Sequence, residues 1–413
     1  MKLKLCSFLA LSLVLATKSP AAEMTFTLES AVNHALTNNA DLAAARLGVD
    51  EARGRLEQAG HWSNPELETE VKPNVRGREG SFSVGFNQRF PLTARLRLEK
   101  TVSRAQAVVA EAEVREFERR LALEVRTTGV RLVALENHAA LQAKQLENSR
   151  ALGTALRKLV TTGEGSDLEA AQLELEAAQL ASQYLQADSD RAELAGQLRL
   201  LLALPAGTEL RLDEALSDPR KVADGPVDPA KRTDYIAAKA RVEAANQGIE
   251  LAQSHRWEDA RFGLFGEIER ADDAPNGLQT DGMVGFRFSL PLPFWNKGQG
   301  RVTEAAATAA RKEKETDALA LRIRSEAAIA RDQMNAAARL AKSVKDDLLP
   351  KAGQIEERLA KLHAEGQAPF TDVLRARERR LQLEASELDA RRAYHLARVR
   401  HLAATGQSPS ARP

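Results

Sequence analysis

The sequence predicts a mainly α-helical chain with a small β part, laid out as two tandem copies of one elongated plan. Three observations lead there. Proline is absent between Pro91 and Pro205 and between Pro293 and Pro350, and both stretches are rich in Ala, Leu, Glu, Arg and Gln, the strong helix formers. Four short segments alternate apolar and polar residues with period two. An ordered series of matching strings recurs 193 to 203 residues apart, flanking the same proline and glycine landmarks.

The N-terminus reads as a targeting segment. Lys2 and Lys4 precede the apolar run Leu5–Ala16, and Ser19-Pro20-Ala21-Ala22 offers small residues for cleavage. Lys18 and Pro20 end the run too early for a membrane anchor. Cleavage after Ala22 makes residues 1–22 a signal peptide and removes Cys6, the one cysteine. The mature chain is then a cysteine-free, exported protein.

The first copy, residues 23–204, opens with an amphipathic helix from about Thr27 to Gly60, started by Thr27-Leu-Glu-Ser30. Two strands follow, Glu66–Lys72 and Ser81–Phe90. In the second, Phe82, Val84, Phe86 and Phe90 alternate with Ser83, Gly85, Asn87 and Arg89, giving one apolar and one polar face. The next 66 residues, Arg95–Val160, make a helix of about 99 Å at 1.5 Å per residue. Such a helix must pack lengthwise against others. Leu121, Val125, Thr128, Leu132, Leu135, Ala139 and Leu146 fit steps of four and three, a coiled-coil seam broken by the polar Gln142.

A linker at 205–231 leads to the second copy, 232–406, and a flexible tail at 407–413. Asp41-Leu-Ala-Ala-Ala-Arg46 aligns with Asp234-Tyr-Ile-Ala-Ala-Lys239, Phe90-Pro91-Leu92 with Leu290-Pro291-Leu292, and Lys158-Leu159 with Lys361-Leu362. The corresponding helix runs from about Arg232 to Trp257. The strands run from Ala260 to Arg270 and from Thr280 to Pro291. Loops at Pro73–Gly80 and Ala271–Gln279 are polar and turn-rich.

Composition narrows the function. With 59 basic against 58 acidic residues and 4% aromatics, the chain lacks both the charge and the stacking surface for nucleic acid. No apolar run beyond the N-terminus is long enough for a membrane-spanning helix. The histidines at 34, 61, 138, 255, 363, 395 and 401 include no pair at the spacing of a helical zinc site. No nucleophile, phosphate loop or ligand cluster stands out, so no enzyme, cofactor or resident metal is expected.

Eight of the twelve phenylalanines fall in or beside the last three strands. Strands of this length with an apolar face, in an exported protein, suit an outer-membrane β-barrel; the alternative is a small soluble sheet covering a helical core. Four strands cannot close around a pore, and open edges cannot face lipid. Membrane-embedded strands therefore require several chains to share one barrel, and three chains give twelve strands.

The pattern resembles the TolC-type outer-membrane efflux factors from Thr27 to about Gly406. Thr27-Leu-Glu-Ser-Ala-Val32 through Asn38-Asn39 is similar to that family's opening helix, with Ala40 where proline is usual. Leu290-Pro-Leu-Pro-Phe-Trp-Asn-Lys-Gly-Gln-Gly-Arg-Val302 resembles the strand-to-helix turn of the branch serving heavy-metal cation pumps. Leu348-Leu-Pro350, Gly366 and Asp372-Val-Leu374 resemble the second helical hairpin and its tip. The resemblance implies a homotrimer whose helices form a hollow coiled-coil barrel in the periplasm and whose strands complete a 12-stranded barrel in outer-membrane lipid. It also implies two partners, a periplasmic adaptor and an inner-membrane, proton-driven pump.

The hairpin tips are then the candidate gate and docking site. Gly163, Gly165 and Gly366 permit the positive φ that ends a helix, and Ser166, Asp167 and Thr371 can cap the next. Ordinary hairpin turns would use the same residues. The resemblance places Asp167, His363, Asp372 and Arg375 at the gate. Asp372 matches a constriction aspartate whose three-fold repetition makes an acidic ring. Arg375 stands where better-known members carry a second aspartate, which permits an Arg–Asp pair. His363 replaces a tyrosine and Ala368 a gate arginine. Arg157, Lys158, Leu159, Gly163, Arg358, Leu359, Lys361, Leu362 and Gly366 match the tip segments that meet adaptors, or else form a charged helix face. The expectation is an exit duct of a tripartite efflux pump for heavy-metal cations. A duct for drugs or organic solutes, or an exported coiled-coil spacer, is the alternative.

Overall fold

The computed structural model describes residues 23–73, 79–163, 165–222, 225–273, 275 and 277–406. The expected signal peptide, the tail at 407–413 and most of the Pro73–Gly80 loop lie outside them. The chain divides into two compact units.

One unit holds the described residues up to Asn39, then Glu124–Pro219 and Ala337–Leu396. It contains both hairpin tips. Strand β1 (Glu23–Phe26) pairs in parallel with β4 (Glu209–Leu212), from Glu23↔Glu209 to Phe26↔Leu212, so the stretch expected as a linker carries a strand. Helix α1 (Leu28–Asn38) starts at a capping box in which Thr27 and Ser30 bond reciprocally. The single opening helix expected from the sequence is two: α2 (Ala40–Gln58) follows a break at Asn39. Asn39 is extended (ψ 124°), and its Nδ2 donates to Leu201 O at 3.1 Å. A tertiary hydrogen bond has replaced the helical turn there.

The helical hairpins are long. Helix α3 spans Arg95–Thr162 (68 residues) and α4 spans Asp167–Leu201. The α3 seam is as expected at Leu121, Val125, Thr128, Leu132 and Leu146, all buried, and it continues through Ser149 and Gly153. Helix α4 offers Ala170, Leu173, Ala177 and Leu180 with the same steps of three and four, and Ala187 one heptad further on. Helix α6 (Gln299–Ser343) buries Ile323, Ala327, Ala330, Met334, Ala337 and Ala341, and the spacing runs on to Val344. A five-residue π-helical turn, Val344–Leu348, joins α6 to α7 (Leu349–Ala364). Pro350 explains it, because its ring clashes with the carbonyl four residues back in a regular helix and a widened turn relieves the clash. Helix α8 (Phe370–Thr405) completes the second hairpin.

The other unit, Ala40–Leu123, Arg220–Ala336 and the described residues from Ala397, carries α5 (Thr233–Ser254) and the four-stranded sheet. Its strands β2 (Glu66–Pro73), β3 (Gly80–Phe90), β5 (Ala260–Asp273) and β6 (Gly277–Ser289) are antiparallel neighbours in the order β2-β3-β5-β6. Strands β5 and β6 run further into their loop than the turn-rich composition suggests, pairing as far as Asp273↔Gly277.

Register sorts the two faces. Leu67, Phe86, Leu264 and Phe286 form one row across all four strands, and Val71, Phe82, Ile268 and Gly282 another. Leu67, Phe86, Leu264 and Phe286 are all exposed, Phe286 by 75%. The opposite face carries Glu66, Glu68, Glu70, Asn87, Glu267 and Arg287. Arg287 Nη1 on β6 lies 3.5 Å from Glu68 Oε2 on β2, although two strands separate them, about 14 Å in a flat sheet. The two side chains reach toward each other along the polar face, across the intervening strands. Trp62, Trp257 and Trp295 flank the helix-proximal strand ends, and Trp295 is 95% exposed.

Candidate functional site at the helical hairpin tips

The first tip closes on itself. Gly163 adopts φ 84° and its N–H reaches Val160 O, while Gly165 N–H donates to Leu159 O at 3.1 Å. Gly165 is needed for space, since a Cβ there would lie 2.7 Å from Val160 N. Its φ is not positive, which corrects the sequence expectation. Ser166 caps α4 by accepting from Glu169 N–H. Arg157 on α3 donates to Asp167 Oδ1 at 2.6 Å and makes a two-pronged contact with Glu174 on α4 at 3.0 and 2.7 Å. Hydrogen bonding and charge from Glu174 hold the guanidinium above its ordinary pKa. A groove of about 620 Å³ runs beside this staple, lined by Gly153, Arg157, Lys158, Thr161, Leu173 and Glu174 among others. Leu159 stays exposed.

At the second tip Gly366 takes φ 72°, its N–H bonding His363 O at 2.9 Å, and Gln367 N–H reaches Leu362 O at 2.8 Å. Helix α8 begins at Phe370, so Thr371 sits inside the first turn rather than capping it. His363 Nδ1 lies 3.1 Å from Ala368 O, and its ring packs 5.3 Å from the buried Phe370. Asp372 Oδ1 and Arg375 Nη1 pair at 3.3 Å. Arg358 and Lys361 are exposed on α7, Lys361 paired with Glu357 at 2.8 Å, while Leu359 and Leu362 are half-buried.

Two further cavities in this unit were not anticipated. One, of about 400 Å³, lies between α3, α4 and α8 and is lined by His138, Gln142, Gln172, Gln179, Leu374 and Leu381 among others. Among the described residues Gln142 Oε1 and Gln172 Oε1 are buried without a hydrogen-bond partner, and the buried His138 Nε2 lies 3.4 Å from Asp389 Oδ1. The polar break at Gln142 in the seam was its only sequence signal. The other, of about 650 Å³, lies beside β4. There burial pushes the Glu136 carboxyl above the usual carboxylate range, and Arg191 and Arg211 offset this only in part. Among the described residues no group of three or more His, Cys, Asp or Glu is placed to hold a metal, and no helix is long and apolar enough to cross a membrane.

Residues 31–204 match the family model described as outer membrane efflux protein. That stretch, most of the first copy of the plan, is what the chain shares with this family. The chain is 24% identical over 399 residues to the cobalt-zinc-cadmium resistance protein CzcC of Cupriavidus metallidurans, covering 92% of the present chain and 87% of CzcC. Its fold is that of the solved channel CusC, with a TM-score of 0.75 at 19% identity and 92% of each chain covered. The outer membrane protein VceC of Vibrio cholerae superposes with a TM-score of 0.73 at 18% identity, covering 92% of this chain and 96% of VceC. The fold class expected from the sequence, helical barrel elements with a minor β part, is therefore the observed one.

Proposed function

We propose that this chain is the outer-membrane exit duct of a tripartite pump and conducts heavy-metal cations passively to the exterior. The four-stranded sheet, with its one polar and one exposed apolar face, carries the reading. A barrel wall is built of strands with one apolar face toward lipid and one polar face toward the bore. The sheet's free edges are β2 and β6, so closure places β6 of one copy against β2 of the next, and three copies supply twelve strands. The exposed tryptophans at one end of the strands suit a membrane–water interface. An exported spacer leaves the apolar rows through Phe86 and Phe286 without a role.

The helices then lie in the periplasm, and the tips meet an adaptor that links the duct to a proton-driven inner-membrane pump. Arg157, Lys158, Leu159 and Gly163 at one tip, and Arg358, Leu359, Lys361, Leu362 and Gly366 at the other, are the docking residues. Asp167, His363, Asp372 and Arg375 border the entrance. Because Arg375 pairs with Asp372, a three-fold ring there is acidic only in part. The likeness to the cobalt-zinc-cadmium resistance protein CzcC favours these metals as cargo over drugs. Deleting the gene tests this. Cells lacking it should accumulate these metals and be restored by the intact gene; unchanged metal content with raised dye or drug retention overturns the metal assignment and favours an organic-solute duct.

A further inference from the structure

The polar face of the sheet holds one aromatic side chain whose placement the duct reading leaves unexplained. Phe265 on β5 shares its row with Glu68, Gly85 and Gly285, the face that also carries the glutamates. It is half-buried, while Phe86, Phe262, Phe286 and Phe288 on the other face are exposed. Glycines make room for it. A Cβ at Gly285 would lie 2.7 Å from the Phe265 ring, and one at Gly85 would lie 3.1 Å from Phe265 Cβ. The ring is laid over the neighbouring backbone and does not project away from the wall.

Arg287 lies over that ring, its guanidinium carbon 5.4 Å from the centroid. The same guanidinium reaches Glu68 at 3.5 Å, and Asn87 Nδ2 donates to Glu68 Oε2 at 2.8 Å. Gly263, paired with both Asn87 and Arg287, clears the space beneath: a Cβ there would clash with Asn87 Oδ1. All four strands thus contribute to one belt of Glu68, Asn87, Phe265 and Arg287 over three glycines.

We propose that Arg287 sets the charge selectivity of the barrel bore and that Phe265 is the positioning residue that holds its guanidinium against the wall, leaving the acidic residues of this face to favour cations. The inference rests on the duct reading. A guanidinium held against the wall beside a carboxylate opposes cations less than one released into the bore, where it stands nearer a passing ion.

The full-length protein in planar bilayers under a potassium chloride gradient tests this through the reversal potential. Arg287→Gln should raise the potassium-to-chloride permeability ratio and Glu68→Gln lower it, each by at least about twofold, the effect of one unit charge roughly 10 Å from an ion in water, with three copies contributing. Phe265→Ala changes no charge, yet it should lower the ratio in the same direction. Phe265→Tyr should restore it, and Phe265→Ala combined with Arg287→Gln should match Arg287→Gln alone. Heat-resistant oligomer on gels checks assembly. If Phe265→Ala fails to assemble, Arg287→Gln and Glu68→Gln decide. A ratio unmoved by those two overturns the proposal while leaving the duct intact. A wild-type protein that assembles but never conducts overturns the duct reading, and this proposal with it.

Discussion

Arg157 Nη1 lies 2.6 Å from Asp167 Oδ1, and the remaining guanidinium nitrogens grip Glu174 on the same helix. One side chain near the end of α3 thereby fastens the first turns of α4 and closes the tip.

Arg157→Ala should loosen that tip without unfolding the hairpin, whose seam at Leu146, Leu173, Ala177 and Leu180 is independent of it. Amide hydrogen exchange should speed up from Val160 to Glu169 and stay unchanged along α3 near Leu121. Exchange unaltered at the tip would show that the backbone bonds of Gly163 and Gly165 suffice.

Ala203 adopts φ 54°, in the left-handed region, where Leu204 N–H reaches back to Arg199 O to end α4. A non-glycine residue there costs about 1 kcal/mol. Ala203→Gly should therefore stabilise the protein by up to about that amount, less the chain entropy glycine adds. Thermal unfolding in detergent reads the difference.

Glu136 gives a pH dependence with a definite sign. Burial raises its folded-state pKa above the value of 4.5 taken by the free group, so the folded state holds the proton more tightly. Stability from this group is present below pH 4.5 and declines as pH rises through the folded-state value. Glu136→Gln should match wild type in acid and melt at a higher temperature at pH 7. Equal melting temperatures at pH 7 would mean the arginines nearby compensate fully.

The two sheet faces should respond oppositely to charge. Phe286→Lys places an ammonium on the apolar face, costing about 2–4 kcal/mol near a bilayer midplane, and should deplete the oligomer from the outer-membrane fraction. Ser83→Lys, on the polar face, should leave that fraction unchanged.

Much of the fold was legible because its signals are local and repetitive. The α3 seam and the alternation of Phe82, Val84 and Phe86 each follow from a period that secondary structure imposes. What escaped depended on distant partners. The break at Asn39 answers to Leu201, the pairing of β1 with β4 spans 186 residues from Glu23 to Glu209, and the π-helical turn answers to Pro350. At the site, resemblance located the tips, but Glu174 as the second anchor of Arg157 and Phe370 as the cover of His363 became visible only with the chain folded. Gln142 was noticed as a flaw in a seam; it lines a cavity.

The most direct test of the barrel wall uses single cysteines along β6. Cys6 is the only cysteine of the sequence, so in a Cys6→Ser background each introduced thiol is unique. Met283→Cys, Arg287→Cys and Ser289→Cys sit on the polar face; Val284→Cys, Phe286→Cys and Phe288→Cys sit on the apolar face. In outer-membrane vesicles a membrane-impermeant maleimide should label the first three and spare the second three, with detergent or denaturant exposing all six. Equal labelling of both sets in intact vesicles would contradict a lipid-facing sheet, and with it the duct.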